Sequence, residues 1–140
     1  MCTLRAPLPR TVTEQARIAR EPLSTVLVCE DEDALRELIR IALDGFDVIE
    51  AADGDTALER ARRERPAVVL VDLMLPRTSG LDVIRTLKGD PATAGILVVV
   101  LSAWRESADE ALAAGADSFV AKPFDPGDLR TLIEGMLTPP

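Results

Sequence analysis

Four carboxylates follow one another at Glu30, Asp31, Glu32 and Asp33, directly behind the apolar run TVLVC. Like charges at that spacing repel and raise one another's pKa values. A hard divalent cation removes the conflict, and Mg²⁺ takes oxygen ligands in octahedral geometry while keeping several waters. A further carboxylate, Asp72, closes the run VVLVD and precedes Leu73-Met74-Leu75-Pro76. That apolar setting strips it of water, which is costly without a partner. Ser102 follows ILVVVL, and Lys122 is one of only two lysines, the other being Lys88, in a chain otherwise charged positively by arginine. The chemistry these types suit is phosphoryl transfer. Glu30, Asp31 and Asp72 offer oxygens to Mg²⁺, directly or through water. Asp72 would then act as a nucleophile toward phosphorus, giving an acyl phosphate. Mg²⁺ and Lys122 would meet the charge on the equatorial oxygens. Asp33 is read as the N-cap of the next helix and given no other role.

Such a site needs elements that bring distant residues to one edge. Apolar runs at 25–29 (TVLVC), 46–49 (FDVI), 67–71 (AVVLV), 96–101 (ILVVVL) and 118–121 (SFVA) read as strands, most of them rich in Val or Ile. Helical patterns lie between them. The stripe Ala34, Leu35, Leu38, Ile39 and Ala42 is closed by Gly45 in a C-cap position. Thr56–Arg65 stops at Pro66, Gly80–Leu87 runs into Gly89-Asp90-Pro91, Glu106–Ala114 ends at Gly115, and Asp128–Leu137 is the last. Regular strand–helix alternation predicts an α/β fold: a doubly wound, five-stranded parallel sheet in the flavodoxin-like order 2-1-3-4-5. Ligands of such sheets bind beyond the carboxyl ends of the strands, at the switch point between strands 1 and 3. Glu30 and Asp31, Asp72, Ser102 and Lys122 all stand at predicted strand ends.

Composition narrows the alternatives. With 140 residues and 47% hydrophobic content the chain fits one domain with a real core, and aromatics at 3% make that core aliphatic. A net charge of −8 argues against a general nucleic-acid-binding surface, which needs clustered Lys and Arg. The sequence has no His, so His-bearing zinc sites and His-based triads are excluded. Cys29 lies in an apolar run and reads as a buried structural thiol. The N-terminus has no apolar core of a secretory signal, and no run approaches the ~18 apolar residues of a membrane span, so a cytoplasmic location without membrane insertion is expected. Residues 1–24, with Pro7, Pro9 and Pro22, read as a flexible arm with a short helix over Glu14–Arg20, ahead of a domain at 25–138.

At these motifs the chain resembles the receiver domains of two-component response regulators. VLVCEDED resembles their acidic-pair segment and VVLVDLMLPRTSGLDVI the segment around their phosphoacceptor aspartate. VVLSAW resembles the segment bearing the switch hydroxyl, and GADSFVAKPF the one with the switch aromatic and the Lys-Pro pair. The resemblance covers residues 25–137. It implies Glu30 and Asp31 as the Mg²⁺-holding pair, Asp72 as phosphoacceptor and Met74 as donor of a metal-coordinating backbone carbonyl. It further implies Ser102 and Lys122 as contacts to the phosphoryl group, Phe119 as the switch aromatic, and a cis Lys122-Pro123 bond. Two positions depart from the commonest pattern: the pair is Glu-Asp rather than Asp-Asp, and Phe119 lacks a hydroxyl. Met74 and Trp104 match the positions flanking the path of the hydrolytic water.

The implied function is a phosphorylation switch that changes its helix 4–strand 5–helix 5 face. Its partners would be a histidine kinase or histidine phosphotransfer protein and a downstream protein target. It would be no enzyme beyond its own phosphorylation and dephosphorylation. Two other classes compete. A pseudo-receiver, a protein-interaction module only, would normally have lost a site residue. An aspartyl phosphatase would carry a second Asp where Met74 stands. Helix 5 is followed only by Thr138-Pro139-Pro140, so a stand-alone regulator, or a receiver segment without an effector domain, is expected.

Overall fold

The computed structural model describes residues 24–137. The arm expected over 1–24, with its helix at Glu14–Arg20, lies outside them apart from Ser24. The elements alternate as β1 (Thr25–Cys29), α1 (Asp33–Ala42), β2 (Asp47–Ala51), α2 (Gly54–Glu64), β3 (Val68–Asp72), α3 (Gly80–Gly89), β4 (Leu97–Ser102), α4 (Ala108–Ala113), β5 (Ser118–Ala121) and α5 (Pro126–Leu137), with a 3₁₀ turn at Arg105–Ser107. The sheet is parallel throughout and ordered β2-β1-β3-β4-β5, as the alternation predicts.

Every residue of β3 is buried, which explains its unbroken Val/Leu run. Odd and even strand positions feed opposite faces. Leu27, Val69 and Val98 pack with Ala57, Val83, Ile84 and Ala111 of α2, α3 and α4. Val26, Leu70 and Val99 pack with Ile39, Leu43, Leu129 and Ile133 on the side of α1 and α5. Burying one such aliphatic side chain contributes about 1.5–3 kcal/mol, and the large apolar side chains that are fully buried are aliphatic, with Phe46, Phe119 and Phe124 only partly buried against them. Cys29 is fully buried, and burial pushes its thiol far above the usual range.

Local expectations fail where capping is ambiguous. Asp33 is not an N-cap. Glu32 occupies that position without a side-chain cap, while Asp33 is the first helical residue and pairs with Arg36. An acidic residue at the positive end of the helix is favourable even without capping it. Gly45 is not the C-cap of α1 either. Leu43 is, and Gly45 turns the chain two residues later at φ 97°. The expected helix 106–114 is shorter, because Arg105–Ser107 forms the 3₁₀ turn and Ser107 caps nothing with its side chain. By contrast, Asp53 caps α2 by accepting from the Thr56 N–H at 2.7 Å, and Ser79 caps α3 by accepting from the Asp82 N–H at 3.2 Å.

Candidate phosphoacceptor site

The sheet register decides what meets at its carboxyl edge. Cys29 pairs with Val71, so the next residues, Glu30 and Asp72, leave adjacent strands side by side. Asp72 pairs with Leu101, one residue before Ser102, and Ser102 with Ala121, one residue before Lys122. The Lys122 N–H donates to the Ser102 carbonyl at 2.8 Å. The Lys122-Pro123 bond is cis, as the resemblance implies. Groups separated by as many as 92 residues of chain thus share one edge.

Glu30, Asp72 and Ser102 are buried, and Asp31 is exposed. The Lys122 ammonium donates to Asp72 Oδ2 at 2.7 Å and to Glu30 Oε1 at 3.0 Å. Asp72 Oδ1 accepts the Met74 N–H at 2.9 Å, and Glu30 Oε2 accepts the Glu32 N–H at 3.1 Å. Burial pushes Glu30 up to about 7, opposed by the bonds from Lys122 and Glu32 and reinforced by the charge of Asp72. Burial alone would depress Lys122, but the bonds to Asp72 and Glu30 outweigh it and hold the ammonium above its usual range.

Three carboxylates against one ammonium leave two negative charges when all are ionised, matching a divalent cation. Among the described residues, Glu30, Asp31 and Asp72 are the one cluster of potential metal ligands, with an oxygen of each within 4.8 Å of the others. An all-oxygen donor set suits Mg²⁺, whose remaining positions water can fill. The residues therefore fit the ion.

Ser102 Oγ accepts the Trp104 N–H at 3.0 Å, while its own proton has only the Trp104 carbonyl at 3.5 Å. The hydroxyl is held by its acceptor side and keeps a donor to offer. Met74 and Trp104 are 69% and 57% exposed, unusual for large apolar side chains beside a polar site. Phe119 is half-buried against the core on the side of α2, α3 and α4.

Comparison with known proteins agrees with this geometry. The profile of the response regulator receiver domain matches residues 26–134. The chain belongs to the response-regulator receiver family. The receiver is 40% identical over 116 residues to the DNA-binding response regulator MtrA of Mycolicibacterium smegmatis, covering 80% of this chain and 50% of MtrA. It thus spans about half the length of that curated relative. The chemotaxis response regulator CheY4 of Vibrio cholerae superposes with TM-score 0.77 at 26% identity, covering 82% of this chain and 99% of CheY4. A response regulator of Burkholderia multivorans gives TM-score 0.69 at 32% identity, covering 83% and 96%. Two-component signalling is the setting of this receiver.

Two residues of the receiver site escaped the sequence reading. A Cβ on Gly80 would lie 2.4 Å from the Asp72 carbonyl oxygen and 2.6 Å from Leu73 Cα. Glycine is what lets α3 start against the end of β3. Its only sequence signal is its place directly behind the cap Ser79. Arg36 sits on α1, where its spacing from Asp33 suggests an ordinary surface ion pair, yet its guanidinium donates to the Glu30 carbonyl at 2.8 Å.

Proposed function

We propose that this receiver is a phosphoacceptor switch. Asp72 takes a phosphoryl group from the phosphohistidine of a histidine kinase or phosphotransfer protein, with Mg²⁺ held by Glu30, Asp31, Asp72 and the Met74 carbonyl. The observation that carries the reading is the buried Asp72 carboxylate with Lys122 at 2.7 Å and two further carboxylates beside it. An Asp72 oxygen forms the O–P bond as the donor's N–P bond breaks, and the departing imidazole nitrogen keeps the electron pair and takes a proton. Bound Mg²⁺ supplies charge neutralisation at the phosphoryl oxygens. Lys122 holds another of those oxygens, and Ser102 donates its hydroxyl proton to the third. Lys122 must loosen its hold on Glu30 to do so, which burial of Glu30 as a neutral acid or as a metal partner permits.

Phosphorylation adds about −1.5 to −2 charges at Asp72. Ser102 and Lys122 end β4 and β5, so their movement toward that charge would alter the face of α4, β5 and α5, with Phe119 on β5 turning inward. A downstream protein reads that face. The receiver unit covers 25–138, acts in the cytoplasm through protein contacts and turns over no substrate but its own phosphoryl group. No described helix is long and apolar enough to cross a membrane.

The test is labelling with a small phosphodonor and Mg²⁺. One acid-stable, base-labile phosphoryl group should appear by intact mass, and Asp72→Asn should take none. Equal labelling of that variant would overturn the assignment. A folded wild-type chain that takes no label would instead be an interaction module only.

A further inference from the structure

Mg²⁺ demands near-ideal octahedral placement of its ligands, so small errors in a carboxylate's position weaken binding. Glu30 and Asp72 are held by Lys122 and by backbone N–H groups. Asp31 is not held in this way. It is exposed, and among the described residues no hydrogen bond or ion pair fixes its side chain. Its aim depends on the backbone of the loop between β1 and α1, and above all on the peptide linking Glu30 to Asp31.

One side chain grips that peptide. Arg36 donates through one terminal nitrogen to the Glu30 carbonyl at 2.8 Å. Its Nε donates to Glu50 Oε1 at 2.8 Å, and its other terminal nitrogen to Asp33 Oδ1 at 2.5 Å. All three guanidinium nitrogens are engaged, and the side chain is only 18% exposed. Glu50 is a firm anchor. It lies in β2 opposite Val28, its second carboxylate oxygen is taken by Arg40, and its backbone carbonyl accepts from Arg60 at 3.1 Å. Arg36 therefore ties the acidic loop to a strand of the sheet rather than only to its own helix. A planar fork can do this; a lysine, with a single point charge, can hold one of these acceptors well but not all three.

We propose that Arg36 is a positioning residue of the metal site, orienting the Glu30–Asp31 peptide and through it the Asp31 carboxylate. The inference rests on the reading of Glu30, Asp31 and Asp72 as Mg²⁺ ligands. Two charges in its surroundings, Asp33 and Glu50, offset that of the guanidinium, so its effect is geometric rather than a simple repulsion of the cation.

The experiment titrates Mg²⁺ into the full chain and reads Trp104, its single tryptophan. Arg36→Met should weaken Mg²⁺ binding about tenfold, or about 1.4 kcal/mol. Arg36→Lys should fall between it and wild type. Arg63→Met, whose ion pairs with Glu59 and Glu64 touch neither the loop nor Glu50, should bind as wild type does. Phosphodonor labelling of Arg36→Met should return to the wild-type rate when Mg²⁺ is raised to saturation, a rescue that a general loss of fold would not permit. Thermal midpoints in EDTA show whether each variant is folded, and if Arg36→Met is not, Arg36→Lys carries the test. Wild-type affinity in the Arg36 variants, or equal weakening by Arg63→Met, overturns the role of Arg36 alone. A wild-type chain with no response to Mg²⁺ overturns the metal site and this inference together.

Discussion

Glu30 loses its water on folding, and its carboxyl is pushed up to about 7 from an ordinary 4.5. The fold therefore favours its neutral form. That contribution to stability is full below about 4.5 and is lost as pH rises through 7. Thermal denaturation in EDTA across this window should show Glu30→Gln gaining on wild type as pH rises. A constant offset between the two would mean that Glu30 does not titrate there. The two exposed apolar side chains point to a second residue-scale outcome. Neither Met74 nor Trp104 can orient an attacking water, and the family resemblance implies that both flank its path. Replacing Met74 with Asn and Trp104 with Glu should speed loss of the phosphoryl group about tenfold, a barrier change of about 1.4 kcal/mol. First-order decay after donor removal measures it, and an unchanged rate would show that these side chains do not set the lifetime. Single residues of this kind were legible because type and place were both unusual: an Asp closing an apolar strand, a Lys among arginines. Arg36 was not legible, since nothing in a helical i,i+3 pair with Asp33 reveals a bond to a carbonyl six residues back.

Strands announced themselves through Val and Ile, because a parallel strand covered on both faces has no polar side to interrupt the run. Helix ends were harder. Four acidic residues, Glu30 to Asp33, precede Ala34, and sequence alone does not say which of them leaves the helical conformation. The alanine-rich stretch before Gly115 has apolar residues enough for a helix but no side-chain cap at Ser107 to fix its start. The end of α2 shows the same limit: Arg65, not a glycine, takes the left-handed cap at φ 48° ahead of Pro66. The start of α3 supplies the element-scale prediction. Gly80→Ala would drive a methyl into the backbone at Asp72 and Leu73, so the helix must shift away from β3. The expected cost is about 1–3 kcal/mol, as for overpacking elsewhere. Phosphodonor labelling should slow as well, because the displaced backbone carries Asp72. Chemical denaturation and the labelling rate are the two measurements. A variant with wild-type stability would show that the helix start has slack the structure does not display.

Across the molecule, the sheet and both apolar layers are complete from Thr25 onward among the described residues. Ala67 donates to the Thr25 carbonyl at 2.9 Å, so the sheet is closed from the first residue of β1. Deleting residues 1–23 should leave the thermal midpoint within about 4 °C of the full chain, equivalent to less than about 1 kcal/mol for a domain of this size. A larger fall would extend the folded unit into that segment. The sheet order also divides labour along the chain. Every side chain of the acidic cluster comes from the half ending at β3, while Ser102 and Lys122 come from the half beginning at β4. The stretch between α3 and β4 is a natural splice point. Chimaeras joined there would inherit their ion chemistry from one parent and their means of reporting it from the other. Receivers built on this plan would then keep one set of carboxylates for the ion while exchanging the hydroxyl and ammonium set against them.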